Sequence, residues 1–266
     1  MKKPVQMKTH SNLITLKDYD WYQRQWLAGR CVAGILRTLN QMVREKIPNL
    51  NLLDMQAEAV KQLETNGCTA TFKGYKGFPG AICLSVNKQL VHGIPVDYVL
   101  QDGDIVKFDL GATYEGAIAD AAATAIYGEP KSAQHVELVD ACRNALNVAI
   151  KAVAVGKQLG CIGNAIHHYA KSTRFGLVTE YGGHGIDENT PHAPPFVSNK
   201  SPANEGVRIQ PGLTIAIEPM LVIGEPKTRI IDDGWTVVTP DVGVHMEHTI
   251  FVHEDRVEIM TSSAEN

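Results

Sequence analysis

From Asp20 the apolar positions Leu27, Cys31, Val32, Ile35, Leu36, Leu39, Met42 and Val43 recur at spacings of three and four, the period of an amphipathic helix. Pro48, which has no amide hydrogen for the helical ladder, predicts its end. A second stripe, Leu53, Ala57, Val60 and Leu63, opens after Asn51, whose side chain can cap free amides, and closes at Gly67. Over residues 69–126 the period changes. The runs ICLSV, DIVKFDL and ATAIY are punctuated by Gly-Phe-Pro-Gly, Asn87, Gly93, Asp102-Gly103 and Gly116, the pattern of antiparallel hairpins. Helical spacing returns at Val136, Val139, Leu146, Ile150 and Val153, stops near Gly156 and resumes through Ile162, Ile166 and Tyr169. The short β-rich runs GLVTEY, LTIAIEPM, WTVVT and HTIFVH follow. Two helices then strands, twice over, predict an α+β chain of two similar halves, with a cleft between them as the natural place for a site.

Composition adds exclusions. With 25 Lys and Arg against 29 Asp and Glu, the net charge of −4 removes the uniform basic field of a dedicated DNA binder. The cysteines, Cys31, Cys68, Cys83, Cys142 and Cys161, are odd in number and contain no Cys-x-x-Cys, so neither a disulfide framework nor a thiolate zinc site is expected. The basic first seventeen residues lead into no apolar run of secretory type, and no stretch approaches a membrane span. A soluble, cytoplasmic protein is expected.

Candidate chemistry begins with Asp109 and Asp120, both inside β-like runs with Gly111 and Gly116 between them. A carboxylate within IVKFDL is costly to bury unpaired. On adjacent strands of one hairpin the two acids can share a face, where a proton, a basic side chain or a divalent cation must offset their repulsion. Taken alone, such a pair is more often a set of hairpin-end acids facing water. Glu218 in LTIAIEPM and Glu247 in VHMEHTIFV are further acids embedded in strand-like runs. His184 stands in GGHGI, either a bland loop residue or an imidazole whose glycine neighbours let the backbone approach a ligand. Together these five residues form an oxygen-rich donor set with one nitrogen, suited to two hard or borderline divalent ions.

The segments GYKGFPGAICLSVN (74–87), HGIP (92–95), GDIVKFDLGATYEGAIAD (103–120), EYGGHGI (180–186), PGLTIAIEPM (211–220), DGWTV (233–237) and MEHTI (246–250) stand in one order. In that order the chain resembles the type I methionine aminopeptidase family over roughly residues 12–262. The resemblance implies a pita-bread fold, with a short tail (1–11) before one catalytic domain of pseudo-twofold halves, about 12–130 and 131–262. It implies removal of the initiator Met from nascent chains whose second residue is small, by a metal-activated water attacking the scissile carbonyl. Two divalent ions, Co, Mn, Fe, Ni or Zn, are implied: Asp109 on one, Asp120 and Glu247 bridging, His184 and Glu218 completing the other. His92, His192 and Glu218 would be catalytic, and Tyr75, Phe78, Cys83, His92 and Trp235 would bind substrate. A monomer, in contact with the ribosome through the domain itself if at all, is also implied.

Three departures from the family pattern stand out. The segment from His184 to His192 is one residue longer than usual, with Pro191 in place of an aromatic. His245 stands where the family often has Gln, and alanines surround Asp120. Two alternatives remain: an X-Pro peptidase of the same fold, which resembles proteins with an extra N-terminal domain for which this chain leaves no room, and a binding module that has lost catalysis.

Overall fold

The computed structural model describes residues 5–8 and 13–262; the expected tail otherwise lies outside them. Strands β1 (Val5–Lys8) and β2 (Leu13–Leu16) pair antiparallel ahead of helix α1 (Tyr19–Arg44). Asp18 caps α1, its carboxylate accepting from the Trp21 amide at 2.9 Å, and the helix ends before Pro48 as the sequence requires. Helix α2 (Leu52–Thr65) starts at Asn51, whose side chain accepts from the Leu53 amide. Its buried stripe is Leu52, Met55, Ala59 and Leu63. Leu53, expected inside, is 41% exposed. Both stripes satisfy helical spacing, and packing against the core selects Leu52, Met55 and Ala59 over Leu53, Ala57 and Val60.

Next come β3 (Thr69–Ala70), β4 (Cys83–Val86) and β5 (Gln89–Val91), then the long hairpin of β6 (Ile105–Tyr114) and β7 (Ala117–Ile126). Glu115 and Gly116 both take positive φ at its tip, the geometry of a tight turn matching the strand twist. Strand β6 pairs with β3, β4 and β7. One core lies between this sheet and α1 and α2, where Val32, Ile35 and Leu39 meet Phe108, Leu110, Ala119 and Ala121. The small alanines around Asp120 are explained here: those on the face away from the carboxylate let α1 lie close.

The second half repeats the order. Helices α3 (Ala133–Ala152) and α4 (Gly160–Lys171) precede β8 (Gly176–Leu177), β9 (Gly182–Asp187), β10 (Thr190–Ser198), β11 (Thr214–Ile217) and β12 (Met220–Val222). Strands β13 (Arg229–Ile230), β14 (Val237–Val238), β15 (Gly243–His245), β16 (His248–Val252) and β17 (Val257–Ile259) complete it. One sheet runs β10-β9-β11-β16-β17 and another β15-β12-β8. The expected strand GLVTEY shrinks to β8, where Gly176 and Leu177 pair with β12 and the Val178 amide adds one bond to the Met220 carbonyl at 3.1 Å. Leu138, Cys142, Leu146, Ile162 and Ile166 of the helices pack on Ile215, Ile217 and Ile250 in a second core.

The halves meet along β7. The Glu247 amide donates to the Ala122 carbonyl at 2.9 Å. On one side the Thr249 hydroxyl accepts from the Asp120 amide at 2.9 Å and donates to its carbonyl at 2.7 Å. On the other, the Thr124 hydroxyl donates to the His245 carbonyl at 2.6 Å and accepts from its amide at 3.3 Å. A second join is β5 on β14, with Val91 opposite Val237. Among the described residues no helix is long and apolar enough to cross a membrane, and all five thiols are free and buried.

Candidate metal centre

The β6–β7 register sets Gly111 opposite Asp120 and Asp109 opposite Ala122, so the two aspartates share one face as diagonal neighbours. A Cβ at Gly111 would fall 2.8 Å from the Thr71 Cβ, so only glycine fits between Asp120 and the neighbouring chain. Glu218 and Glu247 are not inside strands, as the sequence suggested. Glu218 occupies the break between β11 and β12, and Glu247 the break between β15 and β16. These are the two points where paired chains cross from one sheet to the other, and both carboxylates turn toward the hairpin there. Asn199 steadies the first crossing, its Nδ2 donating to the Glu218 carbonyl at 3.1 Å.

His184 is neither in a loop nor freed by its glycines to approach a ligand. It lies within β9, and the flanking residues lack side chains because neighbouring strands are too near: a Cβ at Gly183 would meet the Ala216 carbonyl at 2.1 Å and one at Gly185 the Pro194 carbonyl at 1.9 Å. The His184 Nδ1 lies 3.1 Å from the Gly185 carbonyl. A carbonyl only accepts, so Nδ1 carries the hydrogen and Nε2 turns its lone pair inward. That nitrogen is 3.7 Å from Glu218 Oε1 and 3.9 Å from both Asp120 Oδ2 and Glu247 Oε1.

Donor atoms of Asp109, Asp120 and Glu247 lie within 4.8 Å of one another, as do those of His184, Glu218 and Glu247. The two triples share Glu247. A third, Asp120, His184 and His192, was not foreseen as a ligand set. Burial, reinforced by the neighbouring acids, drives Asp109 and Glu247 well above the usual carboxylate range. Burial first, then Glu218, pushes Asp120 up to about 8, and burial raises Glu218 to about 7 despite His184. The only basic side chains paired with these acids among the described residues are His184 and His245. Asp120 Oδ1 and Glu247 Oε1 are buried without hydrogen-bond partners. Orphaned carboxylate oxygens converging at this spacing are the donor set a divalent cation fits.

The acids form the floor of a cavity of about 180 Å³ that also takes in Tyr75, Phe78, Cys83, His92, His192 and Trp235, so every residue expected in the site lines one space. Phe78 and Cys83 are buried together with Phe72, and Trp235 packs edge-on to Phe78 with centroids 5.2 Å apart. Cys83 faces Asp109 across β4 and β6, and burial raises its thiol well above its ordinary pKa, which makes it an apolar wall. Burial lowers His92 to about 4, and shielding of the ring lowers His192 as well. Register shifts between β9 and β10 fall on either side of Ala193, and the His192 ring packs on His184 at 4.5 Å and on Tyr75 at 5.3 Å. Pro191 is buried and stays out of the cavity lining. Sequence reasoning missed Phe72, which lies just before the first motif, and the seam residues Thr124 and Thr249, which carry no signal of their own.

Two halves of this build, closing over buried acids, make the pita-bread fold. Residues 26–254 match the model of metallopeptidase family M24. The chain belongs to that family. It is 39% identical over 253 residues to a methionine aminopeptidase of Mycoplasma capricolum, spanning 94% of this chain and 99% of that one. The crystal structure of a methionine aminopeptidase from Thermotoga maritima superposes with a TM-score of 0.89 at 34% identity, over 93% of this chain and 99% of that one. A prolidase from Pyrococcus furiosus shares the fold at a TM-score of 0.73 and 19% identity, with 66% of its own length covered.

Proposed function

We propose that this chain is a methionine aminopeptidase that removes the N-terminal Met of nascent polypeptides whose second residue is small. One observation carries the reading: two overlapping triples of buried donors lie directly beside a small pocket walled by Phe72, Phe78, Cys83 and Trp235. The aromatic faces and the sulfur suit an unbranched thioether. Asp109, Asp120 and Glu247 would hold one divalent ion and His184, Glu218 and Glu247 the other, with Co, Mn, Fe, Ni and Zn all compatible with the donors. When bound, such ions supply a Lewis acid that polarises the scissile carbonyl and brings the pKa of water toward neutrality.

The chain's own residues do the rest. The neutral imidazoles of His92 and His192 stand at the mouth of the cavity, and each keeps one N–H to donate to the substrate amide and one lone pair. His192, held between His184 and Tyr75, donates toward the carbonyl oxygen as charge develops on it. Glu218, beside His184 Nε2 at 3.7 Å, would take a proton at a carboxylate oxygen and return it to the leaving amine. The pocket walled by Phe72, Phe78, Cys83 and Trp235 orients the Met side chain. Residues 12–262 act as one catalytic domain of two halves, a cytoplasmic monomer that meets its substrate at the ribosome.

The test is release of free Met from Met-Ala-Ser and Met-Lys-Ser with Co(II), Mn(II) or Fe(II). Release from the first peptide alone is expected, and activity confined to X-Pro peptides overturns the reading.

A further inference from the structure

His245 is 1% exposed and lines the cavity, yet neither of its ring nitrogens has a hydrogen-bond partner among the described residues. Leaving both polar atoms of a buried ring unpaired is costly unless the site uses them. Its backbone is fixed independently of the ring. Thr124 bridges the His245 amide and carbonyl from β7, and β15 pairs His245 with Met220 on β12. The imidazole is therefore held in place with its polar edges kept free. Its Nε2 lies 3.2 Å from Glu218 Oε2, while the other oxygen, Oε1, lies 3.7 Å from His184 Nε2. Glu218 is thus stationed between two imidazoles, one oxygen toward each, in a chain break where no ladder hydrogen bond fixes its backbone on both sides. His245 belongs to none of the donor triples.

We propose that His245 is a positioning residue: a small turn of the ring or of the carboxylate brings Nε2–H, now 3.2 Å from Glu218 Oε2 but not aligned for donation, into a hydrogen bond that aims Oε1 at the locus shared with His184 and Glu247. This rests on the metallopeptidase reading above. A Gln, with an amide N–H at comparable reach, does the same work by the same donation, and an Ala cannot. Outer partners of this kind change metal affinity by about 10–100-fold.

The experiment compares the full chain with His245→Gln and His245→Ala. Mn(II) and Co(II) are titrated calorimetrically into chelator-treated protein, with the visible spectrum of the Co(II) forms, and kcat and KM on a Met-Ala peptide are measured alongside. Folding is checked by circular dichroism and Tm. His245→Ala is expected to weaken one class of metal site by about 10–100-fold and to lower kcat with KM little changed, while His245→Gln stays within a few-fold of the parent. Affinity and kcat of His245→Ala within twofold of the parent overturn the proposal. A His245→Gln variant as weak as His245→Ala, with an altered Co(II) spectrum, also overturns it, because the ring nitrogen is then itself a ligand. Failure of the parent protein to bind either metal overturns the metallopeptidase reading and is thereby told apart from failure of the positioning role.

Discussion

Asp120→Asn should stabilise the metal-free protein while disabling it. Asp120 is 1% exposed, and its pKa is pushed from an ordinary 3.8 up to about 8, by burial first and then by Glu218. At pH 7 the folded chelated chain therefore holds a proton there that the unfolded chain has released. Keeping that proton about three units above its unfolded pKa costs on the order of 4 kcal/mol. Asn carries no such proton and is nearly isosteric, and its amide can donate to the orphaned Glu247 Oε1. The sign is fixed by the raised pKa: this part of the parent's stability is fully present below about pH 4 and is lost as pH rises through about 8. The stability gap between variant and parent should open across that window and flatten above it. For a chain of this size a gap of that order corresponds to a Tm difference on the order of 10 °C at pH 7. Thermal unfolding by circular dichroism, in chelator at pH 5 to 8 and again with excess Mn(II), reads it directly. With the metal the order should reverse, since only the parent keeps the full donor set. A metal-free variant less stable than the parent at pH 7, or a gap of equal size at pH 5 and pH 8, refutes the reasoning.

His192→Ala should lower kcat by about 10²–10⁴-fold with bound metal and KM little changed; a large fall in metal affinity would instead make His192 a ligand through its triple with Asp120 and His184. Trp235→Ala, which opens the edge-on contact with Phe78, should raise KM for Met-Ala peptides by about tenfold, the worth of an apolar pocket contact, and an unchanged KM refutes Trp235 as a pocket wall. Gly183→Ala places a Cβ 2.1 Å from the Ala216 carbonyl, forcing β9 away from β11. It should cost more than about 2 kcal/mol in urea unfolding, and parent-like stability would show that the strands can part without loss.

The sequence made the helices legible because each buries one stripe, and it made the β6–β7 hairpin legible because Gly116 marks a turn between two apolar runs. Phase was harder. In α2 either of two stripes fits the period, and only the packing of Leu52, Met55 and Ala59 into the core beneath α1 and β6 decides between them. The glutamates misled for a related reason: a strand that changes sheets keeps its apolar alternation across the crossing, so Glu218 and Glu247 read as strand-borne although each marks a break. The glycines beside His184 could not be interpreted without the partner strands, since a close approach to β11 and to Pro194 leaves the same letters as a ligand cradle. Convergence of the five site residues lay beyond spacing alone. It depends on the seam, whose threonines look like any other strand threonine.

That seam also explains why the acids can be kept together at all. Asp109 and Asp120 belong to a hairpin backed by α1 and α2, whereas His184 on β9 and Glu218 and Glu247 in the strand breaks belong to the half backed by α3 and α4. As these four buried acids ionise, their repulsion acts in good part across the junction and tends to part the halves, and in the metal-free chain the raised pKa values relieve it with protons at neutral pH. What opposes it is local: the Ala122–Glu247 main-chain bond, flanked by Thr249 on Asp120 and Thr124 on His245, with β5 on β14 as a second clasp. Each hydrogen bond contributes only about 1 kcal/mol net, comparable to the energy of one unit of pKa shift. The seam is therefore most strained as pH rises through about 8, where Asp120 ionises, and a cation between the acids would convert that repulsion into attraction at the β7 junction.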